Sequence, residues 1–437
     1  MSLGKGERTV AGICVTLLLG VVYLCFMGKA PKGPSIVLIT IDTLRADKLG
    51  VYGAPSPASE EFDLLAQKGV VFDKAISQAS WTRSSMASML TGLYPRRTGV
   101  VKERWDKLPL EVDTLAEKLK RKGYTTIGLT ANPQLNKDFQ FEQGFKHYTE
   151  SNVIFAWMKT TEGKSKAGKD SPIRSGEEML TESLRLIRHH AGDGPIYLQA
   201  LLMDVHAHHR IKVDEIDPDL KSFADAAYLQ AVRNVMRPLA KFINEADGVL
   251  KGDVVFIVNA DHGEGLEDHP SVGGSKGHGN LLYRSQVHVP LIFIGGSNYS
   301  KLAPGHRGGI VELTDLVPTV LALSGDERTI AGLDGRSQLL ALLNNDGLAV
   351  GGDSRNAFTE TQWRPTVKKA AIISKDWFFI HGEDSWEGTL PEELHPFSAI
   401  QDGAKTSVLA ENAAVADQLR KLLKDTTSAP LPNTSPS

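Results

Sequence analysis

Two apolar patterns alternate along the chain. Residues 35–40, Ser-Ile-Val-Leu-Ile-Thr, form a continuous run rich in β-branched side chains, which suits a strand buried on both faces of a parallel sheet. Comparable runs occur at 125–129, 196–202, 254–258 and 290–294. Between them, residues 59–68, 114–122, 176–190 and 223–246 place apolar side chains at helical spacing. Strand and helix alternating in this way predict an α/β fold with a doubly wound, mainly parallel sheet. After about residue 350 the pattern shortens, with strands at 369–373 and 376–381 and a closing helix at 410–423. The organisation expected is a large α/β domain at 35–345, a small C-terminal α+β subdomain at 346–425 and a disordered Ser/Thr/Pro-rich tail at 426–437. The polar, Lys/Gly-rich stretch 151–174 reads as a surface insertion.

The N-terminus has a different pattern. Residues 10–28 contain no charge and are long enough to span a bilayer. Lys5 and Arg8 precede the run, and Lys29 and Lys32 follow it. Gly28 and Ala30 would suit a cleavage site, but Lys29 inside it and Pro31 after it favour an uncleaved signal-anchor over a cleaved signal peptide. Residues 1–34 are therefore expected to be an N-terminal transmembrane helix and spacer. The rest would lie on the exported face, periplasmic or extracellular, of a single-pass membrane protein. Cys14 and Cys25 both fall in the apolar run, so the exported part has no cysteine pair and depends on its core. A hydrophobic fraction of 41% supports such a core, and a net charge of −3 gives no reason to expect nucleic-acid binding.

Candidate chemistry concentrates in a few blocks. Of 13 histidines, seven lie between residues 206 and 288, which suggests a metal or proton-transfer site. Asp42 falls just past the first strand, where ligands gather in open α/β sheets; it would serve as a metal ligand or cap the next turn. Thr82 opens a small-residue helical stretch, as a nucleophile activated by the helix dipole and a metal, or as an N-cap. Asp261-His262-Gly263-Glu264 directly follows the strand at 254–258, and its adjacent Asp and His can reach one ion. Asp204, His206, His208 and His209 offer four ligands in six residues, and glycines flank His278. His269 and His288 have no such context and read as surface and structural residues.

These blocks, taken in order, resemble the sulfatase family within the alkaline phosphatase superfamily. The resemblance rests on residues 36–47 around Asp42, on Leu90-Thr91-Gly92-Leu93-Tyr94-Pro95, on Asp261-His262-Gly263-Glu264, on Val289-Pro290-Leu291-Ile292, on residues 315–325 and on Leu333-Asp334-Gly335-Arg336-Ser337. It implies an alkaline phosphatase-like fold and a metal-dependent ester hydrolase. Three departures bear on the chemistry. Sulfatases carry Cys or Ser, followed by x-Pro-Ser-Arg, as precursor of formylglycine; Thr82 stands there, with Ser84 for Pro and Met86 for Arg. Threonine does not yield formylglycine, but it matches the nucleophile of phosphodiesterase and phosphotransferase members. Asn132 replaces the family's Gly-Lys-x-His block and resembles a phosphate-contacting asparagine. His262 replaces the Asn of calcium sulfatases, which favours zinc or manganese over calcium, and His278 stands where many sulfatases have Lys.

The resemblance implies a divalent metal held by Asp42, Thr82, Asp261 and His262, with Thr82 as nucleophile, Asn132 stabilising charge and His206 or His278 protonating the leaving oxygen. A second ion would use Asp204, His208 (or His206) and His278. The substrate would be a phosphate or sulfate ester on a glycan or lipid. A membrane-anchored phosphotransferase acting on lipid head groups and a non-catalytic glycan-binding relative are the alternatives. Trp363, Arg364, Trp377 and His381 are rim residues of the small subdomain, or simply packing and surface positions.

Overall fold

The computed structural model describes residues 33–102, 106–151, 174–268, 276–326, 330–364, 366–386, 388–398 and 407–428. The expected membrane helix, residues 152–173 of the expected insertion at 151–174 and residues 429–437 lie outside the described residues. Among the described residues, no helix is long and apolar enough to cross a membrane.

The large sheet is built from β1 (Ser35–Ile41), β2 (Val70–Ile76), β3 (Thr125–Thr130), β4 (His147–Thr149), β5 (Ile196–Leu202), β6 (Val254–Asn259), β7 (Leu291–Gly295) and β8 (Gly305–Glu312), in the order β8-β2-β7-β6-β1-β5-β3-β4. The pair His288–Val289 adds a further short piece on β2. Every residue of β1, β3, β5 and β6 is buried. This is the burial that continuous β-branched runs predict for strands covered on both faces. β7 runs antiparallel to its neighbours β6 and β2. The other long strands pair in parallel.

Helices cover both faces. α1 (Glu60–Ala66), α4 (Gly176–His190) and α5 (Ala226–Val249) pack together in one layer. α2 (Thr82–Thr91), α3 (Leu115–Arg121) and α6 (Leu316–Leu323) form the other. Capping boxes start α3 at Thr114 and α4 at Ser175, each with a Glu three residues on satisfying the cap backbone. α1, α3 and α4 fall within two residues of their expected positions, and α5 is shifted by three.

The C-terminal part is a four-stranded antiparallel sheet of β9 (Ala357–Thr361), β10 (Val367–Ile373), β11 (Trp377–Asp384) and β12 (Gly388–Pro396), backed by α7 (Ala413–Ser428). Leu419 and Leu423 of α7 are buried with Phe358, Phe379 and Leu394. One expectation needs correction: α7 continues through residues 426–428, which were assigned to the disordered tail. The buried leucines hold the helix down, and Thr426 Oγ1 donates to the Leu422 carbonyl at 2.9 Å.

Candidate active site and metal centre

The site is a product of strand register. Thr40 of β1 is level with Asn259 of β6 and with Leu201 of β5, which is itself level with Thr130 of β3. Asp42, Asp261 and Asn132 each follow two residues beyond those positions. Three polar side chains therefore emerge at one height past the carboxyl ends of neighbouring strands. Thr40 Oγ1 donates to Asn259 Oδ1 at 2.9 Å and ties the two central strand ends together.

Thr82 completes the group from the opposite side. It is the first residue of α2, and the N-cap position belongs to Trp81. Its hydroxyl therefore does not cap the helix. Thr82 Oγ1 lies 3.4 Å from Asp42 Oδ2, 3.3 Å from His262 Nε2 and 3.2 Å from Asn132 Nδ2. Asn132 Nδ2 also donates to Asp42 Oδ2 at 2.6 Å. His262 Nδ1 donates to the Gly263 carbonyl at 2.9 Å, which leaves the Nε2 lone pair facing the carboxylates. That nitrogen is 3.3 Å from Asp261 Oδ2 and 3.8 Å from Asp42 Oδ1.

The electrostatics of this cluster are unbalanced without a cation. Asp42, Asp261 and His262 are fully buried. Asp42 Oδ1 and Asp261 Oδ2 have no hydrogen-bond partner, although buried carboxylate oxygens are normally satisfied. Burial pushes Asp261 up to about 7, against donation from the His262 and Thr43 backbone. Burial and the neighbouring Asp261 charge push Asp42 up as well. Burial, with the adjacent His278, pushes His262 down to about 4. One ligand atom from each of the three residues lies within 4.8 Å of the others. Two orphaned carboxylate oxygens and an imidazole lone pair fit a divalent transition metal.

The loop after β1 is held for this purpose. Thr43 adopts φ 61°, a left-handed backbone uncommon for a β-branched residue. Tyr228 of α5 braces it, its hydroxyl donating to the Thr43 carbonyl at 2.8 Å and accepting from Arg45 N at 2.9 Å. Nothing in the sequence around Tyr228, in the first turn of α5, signals that task.

The histidines divide into two groups. His278 stacks at a tilt on His262, ring centroids 4.6 Å apart, and meets His206 at 5.2 Å. Its Nδ1 lies 3.3 Å from both oxygens of Glu264. Burial alone would lower His278, but Glu264 and the two aspartates hold it up at about 9. Glu264 thus has a defined task; its signal was its place as fourth residue of the Asp261 block. His206 and His278 both line a cleft of about 480 Å³ beside the metal group, together with Lys276 and Glu267.

The second metal site expected from Asp204, His208 and His278 is not assembled among the described residues, and this expectation is corrected. Asp204 lies one residue past the level of the other ligands and turns to α4, where Oδ1 accepts from Gly176 N at 3.0 Å. His208 Nδ1 is 3.0 Å from the Val205 carbonyl, and its ring packs on Tyr228 at 5.4 Å. Between His206 and His208, it is therefore His206 that faces His278. Of the rim residues, Trp363 stands at the site, 6.4 Å from the His278 ring and 5.4 Å from Trp81. Trp377 instead packs against the core of the small subdomain, and His381 pairs with Glu392.

Known proteins share this fold. The chain is 28% identical over 356 residues to N-acetylgalactosamine-6-sulfatase of Rattus norvegicus, covering 70% of this chain and 65% of that protein. The chain thus spans slightly less than two thirds of the length of that relative. A structure in complex with D-glucosamine-2-N,6-O-disulfate superposes with a TM-score of 0.69 at 14% identity, over 91% of this chain and 98% of the other. The phosphonate monoester hydrolase of Agrobacterium radiobacter superposes with a TM-score of 0.67 at 18% identity, over 90% and 95%. The family model described as Sulfatase matches residues 34–325, which contain every strand of the large sheet and all the residues gathered around Asp42. The chain belongs to the sulfatase family.

Proposed function

We propose that the protein is a metal-dependent hydrolase of sulfate or phosphate esters that uses Thr82 as its nucleophile. The observation that carries this reading is the placement of Thr82 Oγ1 within 3.4 Å of Asp42, His262 and Asn132. Asp42, Asp261 and His262 would hold the ion, with Thr82 as a further ligand. When bound, the ion supplies Lewis acidity that makes the hydroxyl nucleophilic at neutral pH. Thr82 attacks the central phosphorus or sulfur, its Oγ1 bond forms, and the ester oxygen departs. The Asn132 amide and the first backbone N–H groups of α2 point at the charge that develops. His278, positioned by Glu264, and its neighbour His206 stand on the cleft side, where the leaving oxygen needs a proton. Water then releases the esterified Thr82.

The zinc or manganese assignment rests on the imidazole in the donor set. A glycan ester is the substrate class we favour, because sulfated sugar is what one structural neighbour binds and N-acetylgalactosamine-6-sulfatase is a relative. A membrane anchor at residues 10–28, with the catalytic part on the exported face, is part of the same proposal.

The test is a parallel assay of residues 31–437, loaded with zinc or manganese, on aryl sulfate, aryl phosphate monoester and aryl phosphate diester. Turnover of any of these that disappears in Thr82→Ala supports the reading. Turnover that survives Thr82→Ala overturns the nucleophile and points to water instead.

A further inference from the structure

A second group of metal-ligating side chains lies at the other end of the sheet. His147 sits on the edge strand β4, in register with Ile127 of β3. His189 and His190 close α4. The rings of His147 and His190 are 4.5 Å apart, and those of His189 and His190 4.6 Å. α4 leads into the start of β5, whereas the Asp42 group lies past its end. A strand of that length separates the two sites by roughly 20 Å.

His190 carries the features of a prepared ligand. It is 4% exposed, and its Nδ1 lies 2.7 Å from Asp193 Oδ2. The carboxylate holds the proton on Nδ1 and leaves the lone pair on Nε2, the arrangement that supports most metal-bound histidines. That Nε2 is shielded from solvent and has no hydrogen-bond partner. The Nε2 of His147 is shielded and unpartnered too. Two buried imidazole nitrogens lacking partners within one ring cluster demand a ligand that satisfies both.

We propose that His147 and His190 bind a divalent transition metal of zinc type, with His189 and water completing its coordination. Among the described residues, only the Asp42 group already holds three ligand atoms within 4.8 Å of one another. Closing the second site therefore takes a rotation of the His189 ring, which is exposed on the last turn of α4 and free to change rotamer. The ion would clip the sheet's edge strand to the helix end. Its role is structural, since it stands apart from the cleft.

Zinc titration of the full, tag-free chain carrying Asp42→Asn and Asp261→Asn tests this, read by calorimetry and by thermal midpoint. The two substitutions disable the first centre. One zinc is expected to bind and to raise the midpoint. Adding His147→Gln should weaken that binding tenfold or more, whereas adding His208→Ala and His209→Ala should leave it unchanged. Absence of zinc binding in the first variant, or binding that survives His147→Gln, overturns the proposal. His147 is only half-buried and sits on the edge strand β4, so His147→Gln carries the test even where a change at buried His190 prevents folding. In the otherwise native chain, ester turnover should not respond to His147→Gln.

Discussion

The Asn132 amide donates to Asp42 Oδ2 at 2.6 Å while Asp42 Oδ1 stays unpaired. One carboxylate oxygen is thereby occupied by the protein and the other left for an ion. Asn132 also reaches Thr82 Oγ1 at 3.2 Å, so a single amide holds both the Asp42 carboxylate and the Thr82 hydroxyl. Asn132→Ala is expected to lower kcat by about 10²–10³, the loss typical of removing one charge-stabilising donor. Metal affinity should fall by about 10–100-fold, as when an outer hydrogen bond to a ligand is removed. Equilibrium dialysis and steady-state kinetics separate the two. A rise in KM with kcat intact would show that Asn132 only binds substrate.

The Thr82 hydroxyl faces the metal group from the first turn of α2. Thr82→Ser keeps the oxygen and is expected to hold turnover within about tenfold, a ΔΔG‡ of at most ~1.4 kcal/mol. Thr82→Val keeps the shape and loses the oxygen, so it should be inactive while folding normally. Rapid quench with labelled phosphate or sulfate ester should trap label on the native protein and on Thr82→Ser only. Label on neither would sink covalent catalysis here.

Removing metal should expose the strain between the two buried carboxylates. In EDTA, Asp42 and Asp261 face each other with one oxygen apiece unsatisfied. Asp42→Asn removes a buried charge without changing shape. It is expected to stabilise the stripped protein by on the order of 1–3 kcal/mol while removing the part of the zinc-dependent stabilisation that this centre supplies. Native protein, in contrast, should gain about 2.7 kcal/mol at zinc a hundredfold above Kd. Urea midpoints with and without zinc give the comparison. A stripped Asp42→Asn protein weaker than stripped native protein would contradict the account.

The gathering of Asp42, Asn132 and Asp261 was legible because strand ends are. Continuous β-branched runs locate β1, β3, β5 and β6, and register then brings Asp42, Asn132 and Asp261 level. The same register explains the failure at Asp204, where one extra residue past β5 turned the carboxylate away to α4 while His206 of the same motif still reaches His278. β2 and β8 escaped notice because Asp73 and Lys74 interrupt one, and Gly305, His306 and Arg307 the other. Their polar positions belong to the outer part of the sheet, where alternation weakens. β12 carries a proline and paired glutamates and reads as loop. Contacts made by Tyr228 and Trp363 depend on tertiary placement alone.

His288 makes stability depend on pH. Burial, with Arg284 beside it, pushes His288 down to about 4 from an ordinary 6.5. Its Nε2 donates to the Asp73 carbonyl at 2.8 Å, and Arg284 Nε donates to Nδ1 at 3.3 Å. Between those pH values the unfolded chain binds a proton that the native chain refuses. Stability therefore rises with pH across the window and falls on acidification, by up to about 3 kcal/mol. His288→Gln keeps a donor for Asp73 and removes the titration. Urea midpoints at pH 7.5 and pH 4.5 should differ less in His288→Gln than in the native protein. An identical difference would remove His288 as a source of acid sensitivity.

Arg355 joins the small subdomain to the large domain through buried charge. Its Nη2 reaches Glu312 Oε2 and Asp315 Oδ1, both at 2.8 Å, and Nη1 pairs with Asp315 Oδ2. Glu312 also accepts from the Tyr94 hydroxyl at 3.1 Å and from Phe358 N at 2.9 Å, so α2's flank, β8 and β9 share one carboxylate. Burial pushes Glu312 up to about 7 even with Arg355 opposing it. Arg355→Ala leaves two carboxylates buried without their cation, and breaking such a pair costs about 3–5 kcal/mol. Adding Glu312→Gln relieves half of that imbalance, so the double variant should recover stability relative to Arg355→Ala. Equal stability of the single and double variants would mean that the loss comes from packing of the guanidinium and not from its charge.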